Sequence, residues 1–104
     1  SREQIEEAIK ILATTYENVL KEFAKTPNNV KTLRLLPISG GLFAGTFKPQ
    51  LAELTFNALT MAFKNISDNQ INSYVVTKIK ESEVYMCIFE EKELESFNEY
   101  FDYA

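Results

Sequence analysis

All three glycines of this 104-residue chain fall in one short stretch, at Gly40, Gly41 and Gly45. The stretch follows an apolar, strand-like run that ends at Ile38, and it precedes a helix-like run that begins near Leu51. Glycines between a strand and a helix let the backbone approach a ligand closely, and the helix N-terminus that follows favours negative charge. The stretch therefore predicts a strand–loop–helix connection that can bind an anion.

Two long amphipathic helices flank this connection. In both, apolar residues recur at spacings of three and four, with charged or polar residues on the other face. Pro49 suits the first position of the second helix. The predicted inward residues are Ile5, Ala8, Ile9, Leu12, Tyr16, Val19, Leu20 and Phe23 in the first helix, and Leu51, Leu54, Thr55, Ala58, Leu59, Ala62, Phe63 and Ile66 in the second.

Two segments have the pattern of buried strands. After the turn residues Pro27-Asn28-Asn29, residues 30–38 partly alternate and then become continuously apolar, which predicts a strand that is buried at its end. Residues 83–89 form the clearer strand. Cys87 within it is predicted to be a small, buried and unreactive hydrophobe.

Two further segments are predicted to be helical. Residues 71–80 have strand propensity in their middle, but we favour a helix because one helical face collects the apolar side chains. That face consists of Ile71, Tyr74, Val75 and Ile79. A closing helix is predicted over residues 90–103, with Leu94, Phe97 and Phe101 turned inward.

The order of these elements predicts an α/β fold with a parallel pair of strands joined by a right-handed crossover. Parallel sheets normally carry helices on both faces and contain more than two strands. Residues 1–104 are therefore predicted to form one unit with an incomplete sheet. A further chain, a fragment or a second copy is expected to complete it.

Composition excludes several classes of function. The chain has no histidine and one cysteine, which removes Ser-His-Asp and Cys-His catalysis, a zinc site and an internal disulfide. The net charge of −4 argues against nucleic-acid binding. No apolar stretch approaches a membrane span and no signal peptide is visible, so we expect neither membrane contact nor secretion. With its lone thiol, the chain is expected in the cytoplasm or nucleus, without a metal or cofactor.

The glycines alone allow two interpretations. The segment either binds a phosphate, or it is a tight turn that uses glycine for positive φ. A P-loop is excluded because no Gly-Lys-Ser/Thr follows, and the G-x-G-x-x-G spacing is absent. Lys48, the nearest cation, either pairs with a phosphate or is a solvated residue at the helix start.

The flanks of the glycines carry a resemblance. The strand ends in the apolar run Leu36-Pro37-Ile38, and the turn continues through Ser39, Gly41, Leu42 and Phe43. This segment resembles the second ligand-binding loop of a macrodomain, the ADP-ribose-binding α/β module. Ala44 stands where that family usually has glycine, and Gly45 comes one place later. The preceding helix with Tyr16 and the later run Ile88-Phe89-Glu90 are also similar to that family.

The resemblance covers only the C-terminal half of a macrodomain. It implies a three-layer α-β-α fold with a mostly parallel central sheet, and it implies that ADP-ribose or an ADP-ribosylated protein is the partner. The residues implied around the diphosphate and ribose are Ser39, Gly40, Gly41, Leu42, Phe43, Ala44 and Gly45. Those implied near the adenine are Phe89 and Glu90. The family's adenine-reading acidic residue and asparagine-bearing loop have no counterpart here.

Three functions remain open at this point. The first is binding of ADP-ribose or a related nucleoside diphosphate through residues 39–45. The second is a protein-interaction or assembly module that keeps the loop geometry without the ligand. The third is a contribution to ADP-ribosyl hydrolysis, for which no catalytic residue is named, because the carboxylates of Glu53, Glu90 and Glu91 have ordinary explanations as exposed helix residues.

Overall fold

The structure is a computed structural model that describes residues 2–37, 50–88 and 91–101. Its elements follow one another as α1 (Arg2–Ala24), β1 (Thr32–Leu35), α2 (Leu51–Ser67), a 3₁₀ turn (Gln70–Asn72), α3 (Ser73–Lys80), β2 (Glu83–Met86) and α4 (Glu91–Phe101). The chain therefore belongs to the α/β class. No helix in these three ranges is both long enough and apolar enough to cross a membrane.

Helices α1 and α2 pack against each other and form most of the core. Both helices occur where the apolar spacing predicts them. Buried side chains of α1 include Leu12, Tyr16 and Leu20, which are at most 2% exposed. In α2 one predicted inward residue is misplaced, because the Phe63 side chain lies at the surface with 36% exposure. The 3.6-residue period thus predicts both helices correctly, but it does not predict that Phe63, at the border of the apolar stripe, is exposed.

Strands β1 and β2 are parallel and directly adjacent, as the alternation of elements predicts. Their register pairs Thr32 with Glu83 and Leu35 with Met86. Both strands are shorter than the apolar runs that predict them. Leu36 in particular is 49% exposed, so the expectation that the first strand is buried up to its end is wrong beyond Leu35.

The two faces of the sheet have different surroundings. Side chains on one face contact the helical core, and those on the other face are exposed. The core-facing residues are Leu33, Leu35, Val84 and Met86. The exposed residues are Thr32, Arg34, Glu83 and Tyr85. Since parallel sheets are usually covered on both faces, the described residues form an unusually open sheet.

Residues 71–80 are helical, which confirms the prediction of a helix rather than a strand. The α-helix itself begins at Ser73, after the 3₁₀ turn. Asn69 starts that turn, and its side-chain oxygen accepts a hydrogen bond from the Ile71 N–H at 3.1 Å. Val75 is fully buried, but Ile71 is 79% exposed. The predicted apolar face is therefore only partly buried. Ile71 lies in the 3₁₀ turn, outside the helical period, and the prediction for Tyr74 is wrong because its side chain is 47% exposed.

The inward face of α4 is built from aromatic rings. Phe97 is buried, and the Phe101 ring meets Phe56 of α2 edge to face at a centroid distance of 5.2 Å. The prediction for Leu94 is wrong, because its side chain is 44% exposed. Contact with α2 sets the rotation of α4, and that rotation turns Leu94 outward.

Cys87 lies just after β2 rather than within it, and it is half-buried rather than buried. Its N–H still continues the sheet, donating to the Leu35 carbonyl at 2.8 Å. The residue is a free thiol at the end of the strand.

A buried lysine connects α3 to the segment between α1 and β1. Lys78 is 8% exposed, and its ammonium donates hydrogen bonds to the carbonyls of Pro27 and Val30. The same ammonium lies 5.2 Å from the centroid of the Phe23 ring, within the range of a cation–π contact. Charged donors to carbonyls are among the stronger hydrogen bonds in proteins, so Lys78 fixes where β1 begins.

Lys78→Met is expected to lower the free energy of unfolding by about 1.5–3 kcal/mol, because it removes both hydrogen bonds while keeping an unbranched stem over Phe23. The matched control is Lys80→Met, an exposed lysine on the same helix, with an expected change below about 0.5 kcal/mol. Urea denaturation followed by circular dichroism measures both. Equal stability of the two variants would contradict this role for Lys78.

Candidate functional site

The carboxyl ends of the two strands meet at one edge of the sheet. Because β1 and β2 are parallel and adjacent, the chain leaves both in the same direction. The hydrogen bond from Cys87 N–H to the Leu35 carbonyl joins the two exits directly. In open α/β sheets, ligands bind outside the carboxyl ends of the strands. We call this place, defined by Leu35, Leu36, Cys87 and Ile88, the carboxyl edge.

The beginning of α2 also lies at the carboxyl edge. Leu51 and Ala52, in the first turn of α2, form a small apolar cluster with Phe97 of α4. Met86 and Ile88, at the end of β2, pack on that cluster. The chain that leaves β1 at this edge therefore returns to it as a helix N-terminus.

The N-cap position of α2 has no side-chain cap. Gln50 occupies the N-cap position with φ −106° and ψ 12°, and its side chain makes no capping hydrogen bond. The N–H groups at a helix start have no partners within the helix, and the helix dipole gives them a partial positive charge. The α2 start is thus suited to an anion that lies beyond the carboxyl edge.

A second helix starts near the same edge, and like α2 it carries carboxylates in its first turn. Helix α4 begins at Glu91, three residues after Ile88, and carries Glu91 and Glu93 in its first turn. Carboxylates at this position stabilise a helix through its dipole. Glu53 plays the same part in the first turn of α2. Glu53 and Glu91 are both exposed, which agrees with an ordinary role at a helix start.

The end of β1 is held in place from α1. The hydroxyl of Tyr16, whose side chain is fully buried, donates to the Leu36 carbonyl at 2.8 Å. This bond links the middle of α1 to the last residues before the glycine-containing segment. The helical spacing predicts Tyr16 as an inward residue but carries no signal for this contact.

The residues predicted to bind the ligand lie outside the described part of the chain. Ser39, Gly40, Gly41, Leu42, Phe43, Ala44 and Gly45 belong to residues 38–49, and Phe89 and Glu90 lie between β2 and α4. Lys48 and Pro49 fall in the first of these gaps as well. The structure places the residues on either side of both gaps at the carboxyl edge.

A cavity of about 400 Å³ lies beside the start of α2. It separates the first turns of α1 and α2, and its wall includes Ile5, Ile9, Gln50, Glu53 and Leu54. Arg2 and Glu6 at its rim form an ion pair of 3.5 Å that is largely exposed, so it contributes little to stability. The polar part of its lining consists of the carboxylates of Glu6 and Glu53, the amides of Gln50 and Asn57, and the Arg2 guanidinium.

The described ranges also bear on metal binding and on groups with a shifted pKa. No group of three or more His, Cys, Asp or Glu side chains there is arranged to hold a metal ion. The pKa of the Tyr85 hydroxyl is raised above its usual value, chiefly because it donates a hydrogen bond to the Glu83 carboxylate. Both residues are on the exposed face of the sheet.

Comparisons with protein-family models, with curated proteins and with solved structures found no match to this chain.

Tyr16→Phe is expected to lower the free energy of unfolding by about 1–3 kcal/mol, because it leaves the Leu36 carbonyl without its donor. Tyr74→Phe is the control, since Tyr74 is 47% exposed and its substitution should cost less than about 0.5 kcal/mol. Thermal and urea unfolding of both variants provide the measurement. A Tyr16→Phe protein as stable as the control would show that this hydrogen bond does not hold the end of β1.

Proposed function

We propose that residues 39–45 bind ADP-ribose or a related nucleoside diphosphate beyond the carboxyl edge, as the C-terminal part of a macrodomain-like fold. In this proposal the backbone N–H groups of Gly40 to Ala44 hold the diphosphate, and Phe43 borders the distal ribose. Phe89 and Glu90 lie on the adenine side. The physiological partner is then free ADP-ribose or an ADP-ribosylated protein in the cytoplasm or nucleus.

One observation carries the proposal, which is the direct pairing of the two strand exits. The proposed diphosphate loop follows β1, and the proposed adenine-side residues follow β2. The Cys87 N–H donates a hydrogen bond to the Leu35 carbonyl, with 2.8 Å between nitrogen and oxygen, so the two exits are adjacent. One ligand that spans both groups needs this adjacency, and an antiparallel or non-adjacent pair would not provide it.

The start of α2 supports the anionic character of the ligand. Diphosphates bind well where glycines allow close backbone approach and a helix N-terminus follows. The packing of Leu51 and Ala52 against Met86 and Ile88 supports a helix start next to both strand exits. A chain with net charge −4 has little general attraction for anions, so local N–H groups must supply the recognition.

We do not extend the proposal to catalysis. Glu53 and Glu91 are exposed carboxylates in first turns of helices, and Glu90 lies outside the described residues. A general base needs a defined position beside the reacting group and a suitable pKa. Binding therefore accounts for the features of the carboxyl edge with fewer assumptions than hydrolysis.

The open sheet favours a second function, assembly with another polypeptide. The side chains Thr32, Arg34, Glu83 and Tyr85 leave one sheet face exposed, and the described part of the chain has one strand pair. This function does not exclude the first, because assembly uses the face and edges of the sheet while the nucleotide uses the carboxyl edge.

Gly41→Val is expected to weaken ADP-ribose binding at least about 100-fold, which corresponds to about 2.7 kcal/mol. A β-branched side chain disfavours positive φ and blocks the approach of the backbone to a phosphate. Calorimetric titration of ADP-ribose into the wild type and the variant measures the affinities.

The matched control is Ser67→Val, which adds the same isopropyl group at the exposed far end of α2 and should leave the affinity unchanged. Adenosine serves as the control ligand, because it lacks the diphosphate and should bind at least about tenfold more weakly. No binding by the wild-type chain, or equal affinities of wild type and Gly41→Val, would favour the assembly function instead.

A further inference from the structure

The outer side of β1 presents main-chain groups without a strand neighbour. The carbonyls of Lys31 and Leu35 accept hydrogen bonds from Glu83 and Cys87 of the β2 segment. Because hydrogen-bonding direction alternates along a strand, the N–H and C=O groups of Thr32 and Arg34 point away from β2. In the described ranges β1 has no other strand partner.

The ends of this free stretch are already occupied. At one end, the Lys78 ammonium donates to the Val30 carbonyl. At the other, the Tyr16 hydroxyl donates to the Leu36 carbonyl. Side chains thus satisfy the flanking carbonyls and leave a defined length of edge, residues 32–34, for main-chain pairing.

A groove of about 570 Å³ runs along α1 beside this edge. Five of its seven lining residues belong to α1, one follows α1, and Leu33 alone comes from β1. The apolar part of the lining consists of Val19, Phe23 and Leu33. The groove therefore lies where the core-facing side chains of a further strand, next to β1, would pack against α1.

We propose that the β1 edge accepts an extended strand from outside this 104-residue chain, by main-chain pairing with Thr32 and Arg34. Every second side chain of that strand enters the groove and is apolar. Strand addition of this kind derives its affinity from main-chain hydrogen bonds and its specificity from alternate side-chain pockets. The proposal holds whether or not residues 39–45 bind a nucleotide.

Charge indicates what the other side chains of the strand are. They lie on the exposed sheet face, next to Arg34. Among the described residues no carboxylate forms an ion pair with Arg34, since the ion pairs there are Arg2–Glu6, Lys21–Glu17 and Lys25–Glu22. Opposite charges directly across neighbouring strands stabilise the pair, so an acidic residue is expected opposite Arg34.

A second copy of this chain fits the edge poorly. Two β1 edges paired about a two-fold axis would place both α1 helices on the same face of the joint sheet. Each α1 borders the groove that the other copy would have to fill, and the rim of that groove is polar, with Asn18, Glu22 and Thr26. A strand that brings no helix to this face avoids the conflict.

The test uses a blocked peptide of about six residues that alternates valine with glutamate, a typical strand length. Nuclear magnetic resonance of the full chain records amide shifts and hydrogen exchange as the peptide is added. The Thr32 and Arg34 amides are expected to shift and to exchange about tenfold more slowly, while those of Leu33 and Leu35 keep their β2 partners and stay unchanged. A peptide of the same composition with the valines in one block should produce neither effect.

Three variants separate main-chain pairing, groove packing and charge. Thr32→Pro removes an outward N–H without touching the β1–β2 ladder, and it should weaken peptide binding about tenfold. Val19→Asp should do the same by placing a charge in the groove, whereas Ile11→Asp, at a 45% exposed site on α1 outside the groove, should not. Arg34→Glu should reverse the preference from the valine–glutamate peptide to a valine–lysine peptide.

Tighter binding of the valine–lysine peptide by Arg34→Glu distinguishes a change of specificity from misfolding, because a misfolded variant would bind neither peptide. Equal binding of the block peptide, or no shift of the Thr32 and Arg34 amides at millimolar peptide, would overturn the proposal. So would protection of these two amides in the chain alone together with a dimer in sedimentation, because the occupant would then be a second copy.

Discussion

The hydrogen-bonded register between β1 and β2 determines how the other elements are arranged. Four residue pairs, from Thr32–Glu83 to Leu35–Met86, fix the two strands as parallel neighbours. A parallel pair forces the connecting chain to cross from one end of the sheet to the other, and α2 makes most of that crossing. Burial of α2 against α1 and the sheet then follows from its apolar stripe.

Because the strands are parallel, the sheet has an amino-terminal end and a carboxyl end, and different contacts are found at each. At the amino-terminal end, Lys78 binds the carbonyls of Pro27 and Val30 and fixes where β1 begins. At the carboxyl end, Tyr16 binds Leu36, and the start of α2 packs near Ile88. A stabilising side chain thus holds each end of β1, while helix N-termini and chain exits collect at the carboxyl end, where α/β proteins bind ligands.

The long helices could be predicted from the sequence because their period is repeated many times. Helix α1 has 23 residues, so a single misplaced residue hardly alters its pattern. The strands have four residues each, and an apolar run such as Leu35-Leu36 does not show where pairing stops. The apolar run therefore predicts a buried Leu36, whereas its side chain is exposed.

Other features depend on contacts between distant segments and have no local signal. Leu94 has the right spacing for an inward residue, but the contact of Phe101 with Phe56 fixes the rotation of α4 and turns Leu94 outward. Lys78 is buried because carbonyls 48 and 51 residues earlier accept its hydrogen bonds. Of the candidate site, the sequence predicted the parallel exits, and the ligand-binding residues 39–45, 89 and 90 remain predictions.

Amide chemical-shift mapping with ADP-ribose tests directly whether the ligand binds at the carboxyl edge. Binding at this edge predicts that shifts cluster at residues 36–54 and 87–93, around the two strand exits and the start of α2. Amides at the opposite end of the sheet, such as Lys31, Lys78 and Glu83, should not move. Shifts centred on that opposite end or on the α1 groove, or no shifts at saturating ADP-ribose, would contradict it.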